Sequence, residues 1–201
     1  MNTNQKMNKL IKIALLAAIG ALLTFIELPI FPVALWLKLD FSEIPVLMGG
    51  FAFGPIVGII LEGLKIMLKL ALHGTLTAGI GELANFIVGI SLVVPASLIY
   101  TKFRTKKGAI VGMIVGGIII NVVAILANIY LLLPFYGISL KGKALLDYIL
   151  LGLIPLNTIK AISVSIVTFI LYKRLSISIF KVDSNFRKDN SAKKEKLESY
   201  K

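Results

Sequence analysis

The chain has 201 residues, 57% of them hydrophobic, and a mean hydropathy of +0.91. Soluble globular domains are about 45–50% apolar even with Gly counted, so too little polar surface remains here to cover a water-soluble core. The net charge of +12 would suit nucleic acid, but the lysines and arginines sit at the flanks of apolar runs, which argues for membrane and against a nucleic-acid partner. Cysteine is absent, so neither a disulfide framework nor thiolate chemistry is available.

In chain order, residues 1–8 read as a short polar, cytoplasmic arm. The apolar run behind it predicts a first helix over 9–26, stopped by Pro29 and Pro32. That run exceeds a typical signal-peptide core and lacks a clear small-residue cleavage site, so it is read as a retained helix. Residues 30–42 predict an interfacial loop with Trp36, Lys38 and Asp40. The apolar segment 43–53 is short for a crossing and is broken by Gly54-Pro55. Proline suits the first position of a new helix, so the break predicts a turn between two helices, the second reaching Leu72.

A small, polar loop spans 73–79, followed by a predicted fourth helix over 80–100 with Pro95 as a kink. The basic loop 101–108 leads to a fifth helix over 109–133 that ends at Pro134. After a loop over 134–144, the sixth helix is predicted over 145–175. The lysine-rich remainder 176–201 reads as a basic cytoplasmic tail, frayed beyond Val182. The fold class is thus an all-α membrane protein, one bundle of six transmembrane helices over 9–175 with both termini cytoplasmic. Six crossings put Lys6, Lys9 and Lys12, the basic loop Lys102–Lys107 and the basic residues from Lys173 onward on one side. Five crossings would separate them.

Polar residues inside the predicted spans are the candidates for function, because their burial in lipid is costly. Lys160 lies near the middle of the last span, with Asn157 on the same face and Pro155 beside it. A buried ion pair, with Glu82 or Glu62 as partner, is the alternative to a binding role for Lys160. Asn121 and Asn128 share a face of the fifth helix, and Glu82 and Asn85 lie three apart on the fourth. Asparagines at such depth also serve as helix-to-helix hydrogen bonds. Glu62, Lys65 and Lys69 are spaced for an intrahelical pair and read as a wet helix end. On the first helix, Ala14 and Ala18 form one small-xxx-small pair and Ala17 and Ala21 another, a pattern that admits close helix approach.

Several chemistries are excluded. There is no GxxxxGK[ST] phosphate loop and no HExxH motif, and His73 is the only histidine. No metal, cofactor or enzymatic activity is therefore expected.

Five segments in order carry a resemblance: Leu39-Asp40-Phe41-Ser42-Glu43-Ile44-Pro45, Phe53-Gly54-Pro55, Ala84-Asn85-Phe86, Leu133-Pro134-Phe135-Tyr136-Gly137 and Ile154-Pro155-Leu156-Asn157-Thr158-Ile159-Lys160. Over about residues 8–175 the chain resembles the riboflavin-specific (RibU-type) S components of energy-coupling factor (ECF) transporters. The resemblance implies a six-helix bundle in the bacterial plasma membrane, with an outward-facing pocket covered by the loop after the first helix. Riboflavin would be the transported ligand, and the partners would be a transmembrane coupling subunit and two ATPases. It places Asn128, Asn157 and Lys160 at flavin-contacting positions, Leu39 and Asp40 in the covering loop, and Asn85 in the fourth-helix motif. Ala14 and Ala18 fall on the surface for the coupling subunit. The segment 75–82 departs from the family pattern, and no contact is carried over there. Aromatic walls such as Trp36, Phe86 or Tyr136 would suit the flat ring. A different vitamin on the same fold, or a membrane scaffold without transport, are the rival readings.

Overall fold

Proline and glycine set the element boundaries. In a computed structural model, residues 3–29, 38–75 and 77–175 are described. Expectations for 30–37, Trp36 included, and for the tail 176–201 lie outside the described residues. Among the described residues are α1 (Thr3–Leu23), α2 (Glu43–Phe53), α3 (Pro55–His73), α4 (Ile80–Phe103) and α5 (Lys106–Phe135). A sixth, α6, is assembled from Gly142–Asp147, Tyr148–Leu153 and Ile154–Leu175.

The turn at Gly54-Pro55 is present: Gly54 adopts φ 99°, a conformation open to glycine, and Pro55 opens α3. Other boundaries shift. α1 begins at Thr3 rather than Lys9, because Gln5, Lys6 and Met7 are good helix formers even where the run is polar. It ends at Leu23, and a short ribbon follows in place of an unstructured loop. Strands β1 (Leu28–Pro29) and β2 (Lys38–Leu39) pair antiparallel, Leu28 opposite Leu39, so the fold is not purely helical.

Helix α5 passes through Pro134 instead of ending there, and α6 runs through Pro155. Pro134 and Pro155 lack an N–H, and a proline ring crowds the carbonyl four residues earlier. In each case the preceding turn widens to a π-helix, over Asn128–Leu132 and Tyr148–Leu153. Leu133 N–H then bonds Asn128 O, and Ile154 N–H bonds Ile149 O. Such π-turns are frequent at functional sites.

Three helices, Ile80–Phe103, Lys106–Phe135 and Gly142–Tyr172, are long and apolar enough to cross a membrane. α4 and α5 pack closely because Gly112 and Gly116 face the α4 backbone. A Cβ there would meet Ala96 O at 2.7 Å and Leu92 O at 2.5 Å. At one end of the bundle Phe51, Tyr100 and Tyr172 form an aromatic plug, with the two tyrosine hydroxyls 3.1 Å apart. The other end, at the C-termini of α1 and α3 and the N-terminus of α4, is hollow.

Gly116→Val should lower the thermal stability of the detergent-solubilised protein by about 1–3 kcal/mol, because the obstacle is backbone. Gly117→Ala, whose nearest neighbour would be Ala161 Cβ at 3.5 Å, should leave the melting temperature unchanged. Equal effects would contradict the packing described here.

Candidate functional site

The hollow end encloses a cavity of about 400 Å³. Its lining includes Thr24, Phe25 and Glu27 after α1, Lys69 and His73 of α3, and Glu82, Asn85 and Val88 of α4. Asn128 and Leu132 of α5, Tyr136 just after it, and Leu156, Asn157 and Lys160 of α6 complete it, with Asp40 from the segment between β2 and α2. Among the residues singled out from sequence, Asn85, Asn128, Asn157, Lys160 and Asp40 therefore meet in one space. Leu39 does not line it. It is buried against Leu153 and Leu156, where it anchors the segment carrying Asp40. Of the aromatic walls considered, Tyr136 lines the cavity, whereas Phe86 is not among the lining residues.

The asparagines are held by their own helices. Asn128 Nδ2 donates to Ala124 O and Asn157 Nδ2 to Leu153 O, each at 2.8 Å. Tyr148 OH donates to Asn128 Oδ1 at 2.8 Å, tying α6 to α5 across the two π-turns. Each amide oxygen keeps capacity for a further donor, since a carbonyl oxygen has two lone pairs. Asn121 sits away from the cavity and donates to Gly117 O at 2.8 Å.

Lys160 is 5% exposed, and its partners are neither Glu82 nor Glu62. Lys160 Nζ lies 3.1 Å from Asp40 Oδ2 and 3.0 Å from Glu43 Oε1. The expected partners sit on α3 and α4, but the loop entering α2 reaches Lys160 first. The same Glu43 oxygen is 3.4 Å from Lys65 Nζ, which also pairs with Glu62 Oε1 at 2.6 Å and donates to Ser42 Oγ at 3.0 Å. Ser42 in turn donates through both N–H and Oγ to Asp40 Oδ1. Burial alone would raise the Asp40 pKa, but the Lys160 and Lys65 charges and the Ser42 hydrogen bonds overcome it and hold the carboxyl well below the usual range.

Glu62 and Lys65 are thus not a wet helix end. Both are fully buried, and glycines make room for them. Gly20 packs on the Lys65 stem, where a Cβ would lie 3.4 Å from Lys65 Cγ, and a Cβ on Gly89 would strike Glu62 Oε1 at 2.3 Å. Sequence reasoning missed Glu43, Ser42 and Lys65 as supports of the site. The available signal was an acid opening an apolar run, with a lysine near the middle of the next one.

Lys69 alone fits the expected wet position. It pairs with Glu27 Oε1 at 2.8 Å, and Lys38 pairs with Glu27 Oε2 at 2.6 Å, which stitches the β-ribbon to α3. Partial burial of Glu27 favours its neutral form, but hydrogen bonds from Lys38 and Lys69 and their charges bring its pKa below the ordinary value. On α1, Ala17 and Ala21 face the core while Ala14 and Ala18 are exposed beside Leu15, Ile19 and Leu22.

A family described as "ECF transporter, substrate-specific component" matches residues 8–172. The riboflavin transporter RibU of Staphylococcus aureus is 38% identical over 185 residues, 88% of this chain and 97% of that protein. The riboflavin transporter FmnP of Bacillus subtilis is 28% identical, covering 85% and 93% respectively. A solved S component of a bacterial ECF transporter superposes with a TM-score of 0.73 at 38% identity, over 85% of this chain and 96% of that one. With the family matched over residues 8–172, the chain belongs to the substrate-specific components of ECF transporters, membrane-embedded binding subunits and not enzymes.

Proposed function

We propose that this chain is the riboflavin-binding subunit of an ECF transporter in the bacterial cell membrane. The observation that carries the reading is the convergence of Asn128, Asn157 and Lys160, all buried, on one cavity. An isoalloxazine ring offers a flat apolar body and a polar edge that alternates carbonyl acceptors with an imide donor. Lys160 has three N–H donors and two anionic partners, so one proton is left for a ring carbonyl. The amide oxygens of Asn128 and Asn157 suit the imide N–H. Leu132, Leu156 and Tyr136 supply apolar cover for the ring faces. Two relatives whose names specify riboflavin, at 38% and 28% identity, support the same ligand. A different vitamin on this fold would need another polar set at these three positions.

Orientation follows from charge. The basic loop Lys102–Lys107 joins α4 to α5 at the plugged end, and Lys6, Lys9 and Lys12 start α1 at that end. The positive-inside rule makes that end cytoplasmic, with both termini there, six helices spanning, and the cavity open to the outside. Residues 9–175 then form the binding domain and 176–201 a basic cytoplasmic tail. Asp40, tethered to Lys160, holds the segment after the β-ribbon over the bound ligand. The exposed Ala14/Ala18 face of α1 is the surface for a transmembrane coupling subunit. Energy comes from two ATPase subunits, since the chain has no phosphate loop of its own.

Protein purified from flavin-containing cells should carry a flavin visible spectrum, and the emptied protein should quench riboflavin fluorescence at micromolar ligand. Absence of both would sink the assignment. Asn157→Ala leaves every ion pair intact and should weaken riboflavin binding about tenfold with an unchanged melting temperature. Lys160→Ala should weaken it at least as much while also destabilising the fold by about 3–5 kcal/mol, because Asp40 and Glu43 lose a buried partner. Unaltered affinity in both variants would return these residues to a purely structural role.

A further inference from the structure

The cavity mouth holds an acid that the contacts above leave unused. Glu82, in the first turn of α4, lines the cavity beside Thr77, Gly81 and Asn85. Its Oε2 accepts from Thr75 Oγ1 at 2.9 Å and from Thr77 Oγ1 at 2.8 Å. The two hydroxyls lie 3.2 Å apart and are themselves pinned by the backbone. Thr75 Oγ1 accepts from the N–H groups of Thr77 and Gly79, each at 3.1 Å, and Thr77 Oγ1 from Gly81 N–H at 3.0 Å. The turn between α3 and α4 is therefore knit around one carboxylate and fixes its direction. The mouth lysines are engaged elsewhere: Lys38 and Lys69 both pair with Glu27, and among the described residues no cation lies within ion-pair distance of Glu82.

An ionised carboxylate only accepts hydrogen bonds, and charge-assisted ones are roughly twice as strong as neutral ones. It selects a ligand that presents donors at the mouth. Along α5 the lining runs from Ala124 to Tyr136, about 18 Å at 1.5 Å per residue, long enough for a ring with an extended chain behind it. Lys160 and Asn157, each 5% exposed, lie deep, and Glu82, only partly buried, lies nearer the mouth.

We propose that Glu82, oriented by Thr75 and Thr77, is the specificity-determining residue for the hydroxylated chain of the ligand, accepting from its hydroxyl groups while the deep residues hold the ring. The assignment rests on the flavin reading above. It gives a use to the acid that this turn holds in the cavity lining.

The test compares riboflavin with lumiflavin, which has the same ring and a methyl group in place of the polyol. Glu82→Ala should weaken riboflavin binding about tenfold and change lumiflavin binding by less than about twofold. Thr77→Val, which removes one of the two hydroxyls that hold the carboxylate, should show a smaller loss in the same direction. Retained lumiflavin binding reports that each variant is folded. Equal weakening of both ligands, or undiminished riboflavin binding in Glu82→Ala, would overturn the role of Glu82 alone. Failure of the unsubstituted protein to bind either flavin would overturn the flavin reading and this assignment together.

Discussion

A charge buried in an apolar bundle must find a counter-charge, and here that requirement organises the architecture. Lys160 on α6 and Lys65 on α3 share the Glu43 carboxylate at the start of α2. Asp40 and Glu62 complete the set from the loop and from α3. The short helix α2, 11 residues long, is thereby held between α3 and α6 by its first residue. Gly20 and Gly89 lack side chains where the buried Lys65 stem and Glu62 carboxylate need space. Small residues, ion pairs and the loop position are consequences of one constraint.

The same network joins the fold to the cavity. Lys160 belongs to both: it pairs with Asp40 and it lines the cavity. The π-turns before Pro134 and Pro155 do related work for the amides. Asn128 begins one of them, and Tyr148, which begins the other, donates to Asn128. The two π-turns thus join α5 and α6 beside the cavity.

Much of this was legible in the sequence because it depends on local chemistry. Gly54-Pro55 announced a helix-to-helix turn, and the apolar runs announced the long helices. Lys160 stood out because a lysine at that depth is costly. Its partners did not, because Asp40 is 120 residues away and pairing over that separation depends on tertiary approach. Glu62 and Lys65 looked like a solvated helix end for the same reason: spacing revealed the intrahelical pair, but only packing against α1, α2 and α4 excludes water from it. Pro155 marked a disturbance without disclosing that the turn before it would widen to a π-helix. Thr75, Thr77 and Glu82 looked unremarkable, since a polar turn between helices is common and its internal hydrogen bonds appear only in three dimensions.

The central claim is that one buried set of side chains serves as both structural network and ligand floor. An experimental structure of the riboflavin-loaded protein tests it most directly. The ring edge should lie within hydrogen-bond distance of Asn128, Asn157 and Lys160, with Lys160 still in contact with Asp40 or Glu43. A flavin seated elsewhere, or one whose polar edge faces away from Lys160, would contradict it.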